Sequence, residues 1–248
     1  MCSSDLQLHW PEPQARVPNG SNQFSLREQS ICNGISPWLS PLAMLLTQDV
    51  ALKGFFSRLQ VLGREHLPHS GPVLMAPTHR ARWDALILPY AAGRRVSGRD
   101  CRFMVTVDEM KGLQGWFLHR LGCFPVNQAR PQLASLRLAV DLLASEQQLV
   151  VFPEGRIARE PGPIRLMQGL SRLAVLAASQ GLTVPVLPVG IAYGHPVPRF
   201  GDGAALAFGE PLYVTGQGRE AARQFSEQLA AAMAQAEQQA LRAVGRGA

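Results

Sequence analysis

The sequence predicts an α/β fold: a central, mostly parallel or mixed sheet flanked by helices, with an amphipathic helical element in front of it. Three observations support this prediction. Short apolar runs rich in β-branched residues alternate with segments of helical periodicity from residue 72 onward. The chain has 248 residues, 46% of them hydrophobic and 17% charged, which is enough for one globular domain with a sizeable core. The last amphipathic segment is long enough to dock on that domain.

The predicted elements follow one another in the order strand, helix, strand, helix. The strands are short apolar runs bounded by turn residues: 73–76, 103–107, 149–152, 184–191 and 205–208. The helices have apolar residues at spacings of three and four: 84–92, 111–121, 131–146, 165–180 and 218–243. In the last helix the predicted apolar face consists of Phe225, Leu229, Met233 and Ala236.

The first 63 residues divide into two regions of different composition. Residues 1–34 are polar and rich in turn-forming residues, which predicts a flexible tail. Residues 35–63 are largely apolar but interrupted by charges, so we expect a helical element that lies in a membrane interface without spanning the bilayer. Its expected anchors are Trp38, Leu45, Leu46, Phe55 and Phe56. The alternative is a helix packed on the core of the α/β domain, which is expected to comprise residues 64–248 and to include the C-terminal helix.

The formal net charge is +6, and Lys53 and Lys111 are the only lysines, so arginine supplies nearly all of the positive charge. Such a surplus favours an anionic partner: nucleic acid, an acidic membrane surface or a phosphorylated substrate. A biased genome composition is the alternative. A nucleic-acid partner is not expected, because aromatic residues are not interleaved with the basic ones as stacking sites would require. An arginine-rich stretch at 94–102 would either contact lipid headgroups or be a solvated loop.

The four cysteines form no C-x-x-C pair and follow no signal-peptide pattern, which predicts reduced thiols in a cytosolic compartment. We interpret Cys123 as a buried thiol. The sequence has no zinc or nucleotide-binding motif, so neither a metal nor a bound cofactor is expected. The absence of a G-x-S-x-G motif argues against a serine hydrolase.

The first candidate site is THRARWD at residues 78–84, between a predicted strand and a predicted helix. His79 and Asp84 lie at the two ends of this turn, where their side chains can meet. A carboxylate bonded to one imidazole nitrogen fixes the tautomer and leaves the other nitrogen free to take a proton. No nucleophile stands beside the pair, which suggests that the base activates a hydroxyl of the substrate. A structural histidine and a helix-capping aspartate are the alternative.

The second candidate site is VVFPEGRI at residues 150–157, where Pro153 and Gly155 make a tight turn after a strongly apolar strand. Functional groups of α/β proteins collect at the carboxyl ends of strands. There Glu154 can accept hydrogen bonds from a polyol, and Arg156 can face a phosphate. The alternative is an ordinary polar loop.

Together, His79-x4-Asp84 and Phe152-Pro-Glu-Gly resemble two motifs of the glycerolipid acyltransferases, in particular the 1-acylglycerol-3-phosphate acyltransferase family. The resemblance runs from about residue 52 to 215. It includes four further segments: QVLGREHLPHSGPVLM at 60–75, GWFLHRLGCFPV at 115–126, RLMQGLSRLA at 165–174 and VPVLPVGI at 184–191.

The resemblance implies transfer of a fatty acyl group from acyl-CoA or an acyl-carrier protein, as co-substrate, to lysophosphatidic acid or a related lysophospholipid in phospholipid biosynthesis. It implies that His79 is the general base and Asp84 its partner. It also implies a peripheral location on the cytoplasmic side of a membrane. No transmembrane helix is expected, because the sequence has no run of about 18 apolar residues. A non-catalytic, membrane-peripheral lipid-binding protein of the same fold is the alternative. The implied substrate-binding residues are Glu154, Gly155, Arg156, Phe124, Pro125, Arg130, Arg82 and Pro188.

The sequence departs from the family pattern where phosphate binding is concerned. Gln128 stands where the second block usually has arginine, and Ile157 stands where the third block does. A guanidinium on a long stem tolerates a shift of one or two residues. We therefore expect neighbouring arginines to replace the missing ones, and an acceptor other than lysophosphatidic acid is the alternative. The neighbouring arginines are Arg80, Arg82, Arg130 and Arg156.

Overall fold

The computed structural model describes residue 36 and residues 38–126, 133–159 and 162–247. Seven strands form one sheet: β1 (Arg58–Leu62), β2 (Val73–Pro77), β3 (Cys101–Thr106), β4 (Phe124–Val126), β5 (Gln148–Val150), β6 (Val186–Tyr193) and β7 (Gly203–Phe208). Their order across the sheet is β1-β7-β6-β2-β5-β3-β4.

Most of the sheet is parallel. The five strands from β6 to β4 run in the same direction, with Met75 of β2 paired to Val150 on one side and Leu187 on the other. β7 is antiparallel to β6, and β1 is parallel to β7, so the two strands at one edge run the opposite way. The mixed sheet confirms the predicted fold class. Because parallel strands end at the same edge, the turns after β2 and β5 lie side by side.

The N-terminal helical stretch comprises α1 (Leu39–Met44), a π-helix (Leu45–Leu52) and α2 (Lys53–Phe55). The remaining helices are α3 (Asp84–Ala92), α4 (Arg94–Ser97), α5 (Gly112–Arg120), α6 (Leu133–Ala144), α7 (Gly169–Ser179) and α8 (Gly218–Ala243). Two short 3-10 helices lie at Arg64–His66 and Val107–Met110. None of the described helices is both long and apolar enough to cross a membrane.

The sheet is buried on both faces. Along β2, Val73 and Met75 join the core on one face, whereas Leu74 and Ala76 join the core on the other. The first face is covered by α3 and the end of the N-terminal stretch, and the second by α6, α7 and α8. Burial on both faces explains why the strand residues form a continuous apolar run rather than an alternating pattern.

The C-terminal helix α8 approaches β6 very closely at Gly190. A Cβ atom added to Gly190 would lie 2.1 Å from the backbone nitrogen of Glu237. Since only glycine lacks that atom, Gly190 allows the helix backbone to rest directly on the strand. This contact fixes the height of Glu237 above the sheet.

The predicted boundary between the N-terminal element and the domain was wrong. Residues 58–62 form β1, which pairs with β7, so the sheet begins before residue 64. The run RLQVL reads as the end of an apolar helix, but its partner strand lies about 145 residues further along the chain (203 − 58), as the register pairs Arg58 with Gly203. Likewise β4 is only three residues long, too short to give a periodic signal.

The expected anchors of the N-terminal element divide into two groups. Trp38, Leu45 and Leu46 are exposed, and their role as membrane anchors stays a prediction. Phe56 is only 3% exposed and stacks on Tyr193, and Phe55 packs against Trp83, so both phenylalanines belong to the core side and their prediction as anchors was wrong. Phe55 ends α2 and Phe56 follows it, and both pack in the core on the sheet face that α3 covers. The predicted tail at residues 1–34 lies outside the described residues.

Candidate active site

The side chains of the first motif meet in the turn between β2 and α3. Nδ1 of His79 lies 2.8 Å from Oδ2 of Asp84, which confirms the predicted contact. The imidazole stacks on Phe152, with ring centroids 4.1 Å apart. The His79 side chain is 20% exposed, and within the described part of the chain its Nε2 makes no hydrogen bond. The carboxylate therefore fixes the ring while the second nitrogen can exchange a proton.

The Asp84 carboxylate is fully buried and accepts four hydrogen bonds. Besides His79, the donors to Oδ2 are the backbone N–H groups of Arg80 at 2.6 Å and Ala81 at 3.0 Å. Oδ1 accepts the hydroxyl of Tyr193, the last residue of β6. Burial and the neighbouring Asp84 raise the pKa of Tyr193 well above its usual value, so the phenol keeps the proton that it donates. A buried carboxylate requires such partners.

The Arg80 side chain links the first motif to the second motif and to α8. Its Nη1 donates to both oxygens of Glu154, at 2.8 and 3.1 Å, and its Nε donates to Glu237 of α8. Oε1 of Glu154 also accepts the backbone N–H of His79 at 3.0 Å. The Arg80 side chain is 6% exposed and faces two carboxylates, so its expected role as a phosphate ligand was wrong. Both oxygens of Glu154 are engaged inside the protein, and its contact with an acceptor stays a prediction.

A cavity of about 520 Å³ opens beside His79. One wall is the inner side of the N-terminal stretch, including Ala43 and Met44. The other walls come from β3, α3 and α5, and Phe152 closes the end next to the imidazole. Apolar side chains supply much of the lining: Ala43, Met44, Ala85, Leu86, Pro89, Phe103, Met104, Val105, Leu118, Leu121, Phe152 and Ile157.

Two arginines border the cavity at the end where His79 lies. Arg82 and Arg156 are both exposed, and both line the cavity together with Gly155. Neither of them forms an ion pair with any residue that the structure describes. This arrangement leaves two guanidinium groups available for an anion. Arg130, the third arginine expected there, lies outside the described residues.

Three other predicted binding residues lie away from the cavity. Phe124 is 1% exposed and packs in the core on the second face of the sheet. Pro125 is exposed on β4, and Pro188 is buried in β6 opposite Ala76. Within the part of the chain that the structure describes, none of these three residues lines the cavity. Their contact with substrate therefore stays a prediction.

The arginines of the stretch at 94–102 form ion pairs and hydrogen bonds with other residues of the protein. Arg94 pairs with Asp100 and Arg95 with Asp49, while the Arg99 side chain donates to backbone carbonyl oxygens and Arg102 to the side chain of Gln147. These contacts favour a packed segment over one that offers free charges to lipid headgroups.

The described cysteines, Cys101 and Cys123, are buried thiols, which confirms the prediction for Cys123. Burial raises the pKa of each thiol to about 12, so both stay protonated near neutral pH. The described residues contain no cluster of three or more His, Cys, Asp or Glu side chains that could hold a metal ion.

Sequence patterns did not identify Tyr193 or Glu237 as residues of the site. Tyr193 ends an apolar strand, and nothing in its spacing from Asp84 links the two. Glu237 did leave a signal, because it continues the row formed by Phe225, Leu229 and Met233 at intervals of four residues. A carboxylate in the apolar face of a helix indicates a buried partner.

Tyr193→Phe tests the hydrogen bond to Asp84 as a source of stability. The change leaves Oδ1 of the buried carboxylate without its donor, so we expect the free energy of unfolding to fall by about 1–3 kcal/mol. Urea denaturation followed by circular dichroism measures this. Tyr90→Phe is the matched control, since Tyr90 is half-buried on α3 and makes no hydrogen bond to Asp84. Equal losses in the two variants would contradict the assignment.

Comparisons with known proteins bear on the fold and the family of this chain. A search of curated proteins found no match. The crystal structure of the 1-acyl-sn-glycerophosphate (LPA) acyltransferase PlsC from Thermotoga maritima is similar, with a TM-score of 0.57 and 17% sequence identity over 92% of this chain and 84% of that one. The sequence model of the acyltransferase family matches residues 58–192, from β1 almost to the end of β6. Since this match covers more than half of the chain and both motifs, the protein belongs to the acyltransferase family.

Proposed function

We propose that this protein transfers a fatty acyl group from an acyl thioester to a glycerol hydroxyl of lysophosphatidic acid or a related lysophospholipid. The observation that carries the proposal is the His79–Asp84 pair, whose free imidazole nitrogen borders an apolar cavity. The family match and the similarity to a solved LPA acyltransferase support it. The acyl donor is acyl-CoA or an acyl-carrier protein, since either supplies the thioester.

The chemistry assigned to His79 is general-base catalysis. Its Nε2 takes the proton of the acceptor hydroxyl while the oxygen attacks the thioester carbonyl carbon. The tetrahedral intermediate then collapses, the carbon–sulfur bond breaks, and the imidazolium returns the proton to the departing thiolate. Asp84 stabilises the transient imidazolium through Nδ1–H, as the carboxylate of a catalytic triad does. The nucleophile belongs to the substrate, which explains why no serine or cysteine is needed beside His79.

The cavity suits the two parts of such a substrate pair. Its apolar walls between the N-terminal stretch and β3 fit a hydrocarbon chain, because burying methylene groups there removes them from water. Arg82 and Arg156, at the end near His79, fit a phosphate through charge-assisted hydrogen bonds. Together they define an acceptor that is anionic at one end and reacts at a hydroxyl close to the imidazole.

The outer side of the N-terminal stretch supports peripheral binding to a membrane surface. The exposed fractions are 88% for Trp38, 50% for Leu42, 53% for Leu46 and 59% for Val50, at spacings of four residues. A helix that presents tryptophan and leucine in this way can lie in the headgroup region of a bilayer. The alternative of a non-catalytic lipid-binding protein is disfavoured by the complete His79–Asp84 pair, and the next test decides between them.

His79→Ala and Asp84→Asn test the catalytic assignment. Loss of the base, or of the carboxylate that orients it, should lower kcat by about 10²–10⁴-fold with purified protein, lysophosphatidic acid and acyl-CoA. The matched control is His195→Ala, because His195 also has its Nδ1 bonded to an aspartate, Asp202, at 2.7 Å, but does not line the cavity. Circular dichroism checks that each variant is folded. Transfer at the wild-type rate in both variants would rule out this mechanism.

Arg82→Ala and Arg156→Ala test the acceptor site. Each removes a charge-assisted contact, so KM for lysophosphatidic acid should rise about tenfold, while KM for a neutral monoacylglycerol stays unchanged. Glycerol-3-phosphate and lysophosphatidylcholine complete the acceptor panel, with acyl-CoA and acyl-carrier protein as donors. Arg223→Ala on the exposed side of α8 is the control. Equal KM values for the phosphate acceptor in all these proteins would exclude Arg82 and Arg156 as its ligands.

Trp38→Ala combined with Leu42→Ser and Leu46→Ser tests the membrane surface. Each leucine buried in the interface contributes up to about 1.5–3 kcal/mol, so binding to liposomes with anionic lipid should weaken by at least about tenfold. Co-sedimentation measures the bound fraction. Tyr213→Ser, which changes a side chain that is 53% exposed elsewhere, is the control. Unchanged sedimentation of the triple variant would contradict this surface.

A further inference from the structure

The C-terminal helix α8 carries a buried acidic residue in its apolar face. Phe225, Leu229 and Met233 are buried at intervals of four residues, and Glu237 occupies the next position of the same row. The Glu237 side chain is 6% exposed. A carboxylate in such a place is unfavourable unless a cation and hydrogen-bond donors accompany it. Glu237 is therefore held there by a specific partner.

That partner is Arg80, the neighbour of the proposed base His79 in the sequence. Glu237 accepts Nε of Arg80, the residue that follows His79. The other end of the same guanidinium holds Glu154, and Glu154 accepts the backbone N–H of His79. The backbone N–H of Arg80 also donates to Asp84. His79 is thus linked to α8 through Glu154 and the Arg80 side chain. Asp84 is bonded to the backbone of Arg80, whose side chain contacts α8.

The position of Glu237 is set by the backbone rather than by a flexible side chain. The close contact at Gly190 seats the backbone of α8 on β6 at Glu237 itself. From there the carboxylate reaches Arg80 across the carboxyl end of the sheet. Arg80, Glu154 and Glu237 do not line the cavity among the described residues. Glu237 would therefore act on the reaction through Arg80, whose side chain and backbone are bonded toward His79 and Asp84.

We propose that Glu237 is a positioning residue for acyl transfer: it holds the Arg80 guanidinium, which in turn aligns Glu154 and the backbone of His79. This inference rests on the proposed function. It assigns a role in the active site to α8, which lies outside residues 58–192 that match the family. It also gives Glu154 a task that needs no contact with substrate.

Glu237→Gln is the test variant. It is isosteric, and it leaves Arg80 in a balanced pair with Glu154, so the protein is expected to fold. The neutral amide holds Nε less strongly, and the guanidinium is free to shift toward Glu154 and disturb its bond to His79. We expect kcat to fall about tenfold, the effect of one charge-assisted hydrogen bond, while KM for lysophosphatidic acid and acyl-CoA changes by less than about twofold.

Glu227→Gln is the matched control, because Glu227 lies on the same helix in an exposed ion pair with Arg223. A second readout does not depend on activity: the His79 resonances of histidine-labelled protein, assigned with His79→Ala, should shift in Glu237→Gln and stay in place in Glu227→Gln. If Glu237→Gln does not fold, Glu237→Asp replaces it, since it keeps the charge but its carboxylate is one methylene shorter. The same results are expected of it.

The outcomes separate the two proposals. A wild-type protein without acyl transfer would count against the proposed function, and the histidine resonances would still decide whether Glu237 controls the His79 environment. An active wild-type protein with the same kcat and the same His79 resonances in Glu237→Gln would overturn the positioning role. A rise in KM at constant kcat would overturn it as well, because Glu237 would then act on binding.

Discussion

The carboxylate of Asp84 is closed off from water, and the structure around it is arranged to satisfy its oxygens. The donors come from the turn after β2, from the imidazole and from the end of β6. Each donor must arrive at a fixed distance, so the position of Asp84 depends on the strand order that places β6 beside β2. A parallel sheet with both faces covered is a scaffold that holds such a turn rigidly.

Arg80 lies in the same turn and connects it to other parts of the protein. Its guanidinium joins the second motif and the C-terminal helix to the first motif. Burying one cation with two carboxylates is not in itself a source of stability, because desolvation offsets much of the attraction. Such a network is better understood as a means of fixing one geometry. The neighbouring Arg82, two residues on, has no such partners among the residues that the structure describes and is exposed at the cavity.

The contrast between these arginines shows how far sequence patterns reach. His79 and Asp84 are five residues apart beside a strand, so their contact could be predicted from local geometry. The role of Arg80 could not, since it depends on Glu237, which is 157 residues away from Arg80. Tyr193 is 109 residues from Asp84, and no sequence pattern predicts the hydrogen bond between them. Phe55 and Phe56 are of a residue type that suits a membrane anchor, but tertiary packing buries Phe56 against Tyr193. The fold class was predictable because the alternation of elements is local.

The helical stretch at Leu39–Leu52 has cavity-lining residues on one side and exposed leucines on the other. Only the thickness of one helix, about 10 Å, therefore separates the cavity from the exposed side of this stretch. With that outer side resting on a bilayer as proposed, a lipid acceptor would reach the cavity by lateral diffusion in two dimensions. The reaction rate would then follow the mole fraction of acceptor in the surface and not its bulk concentration, and dilution with inert lipid would slow the enzyme at constant total acceptor.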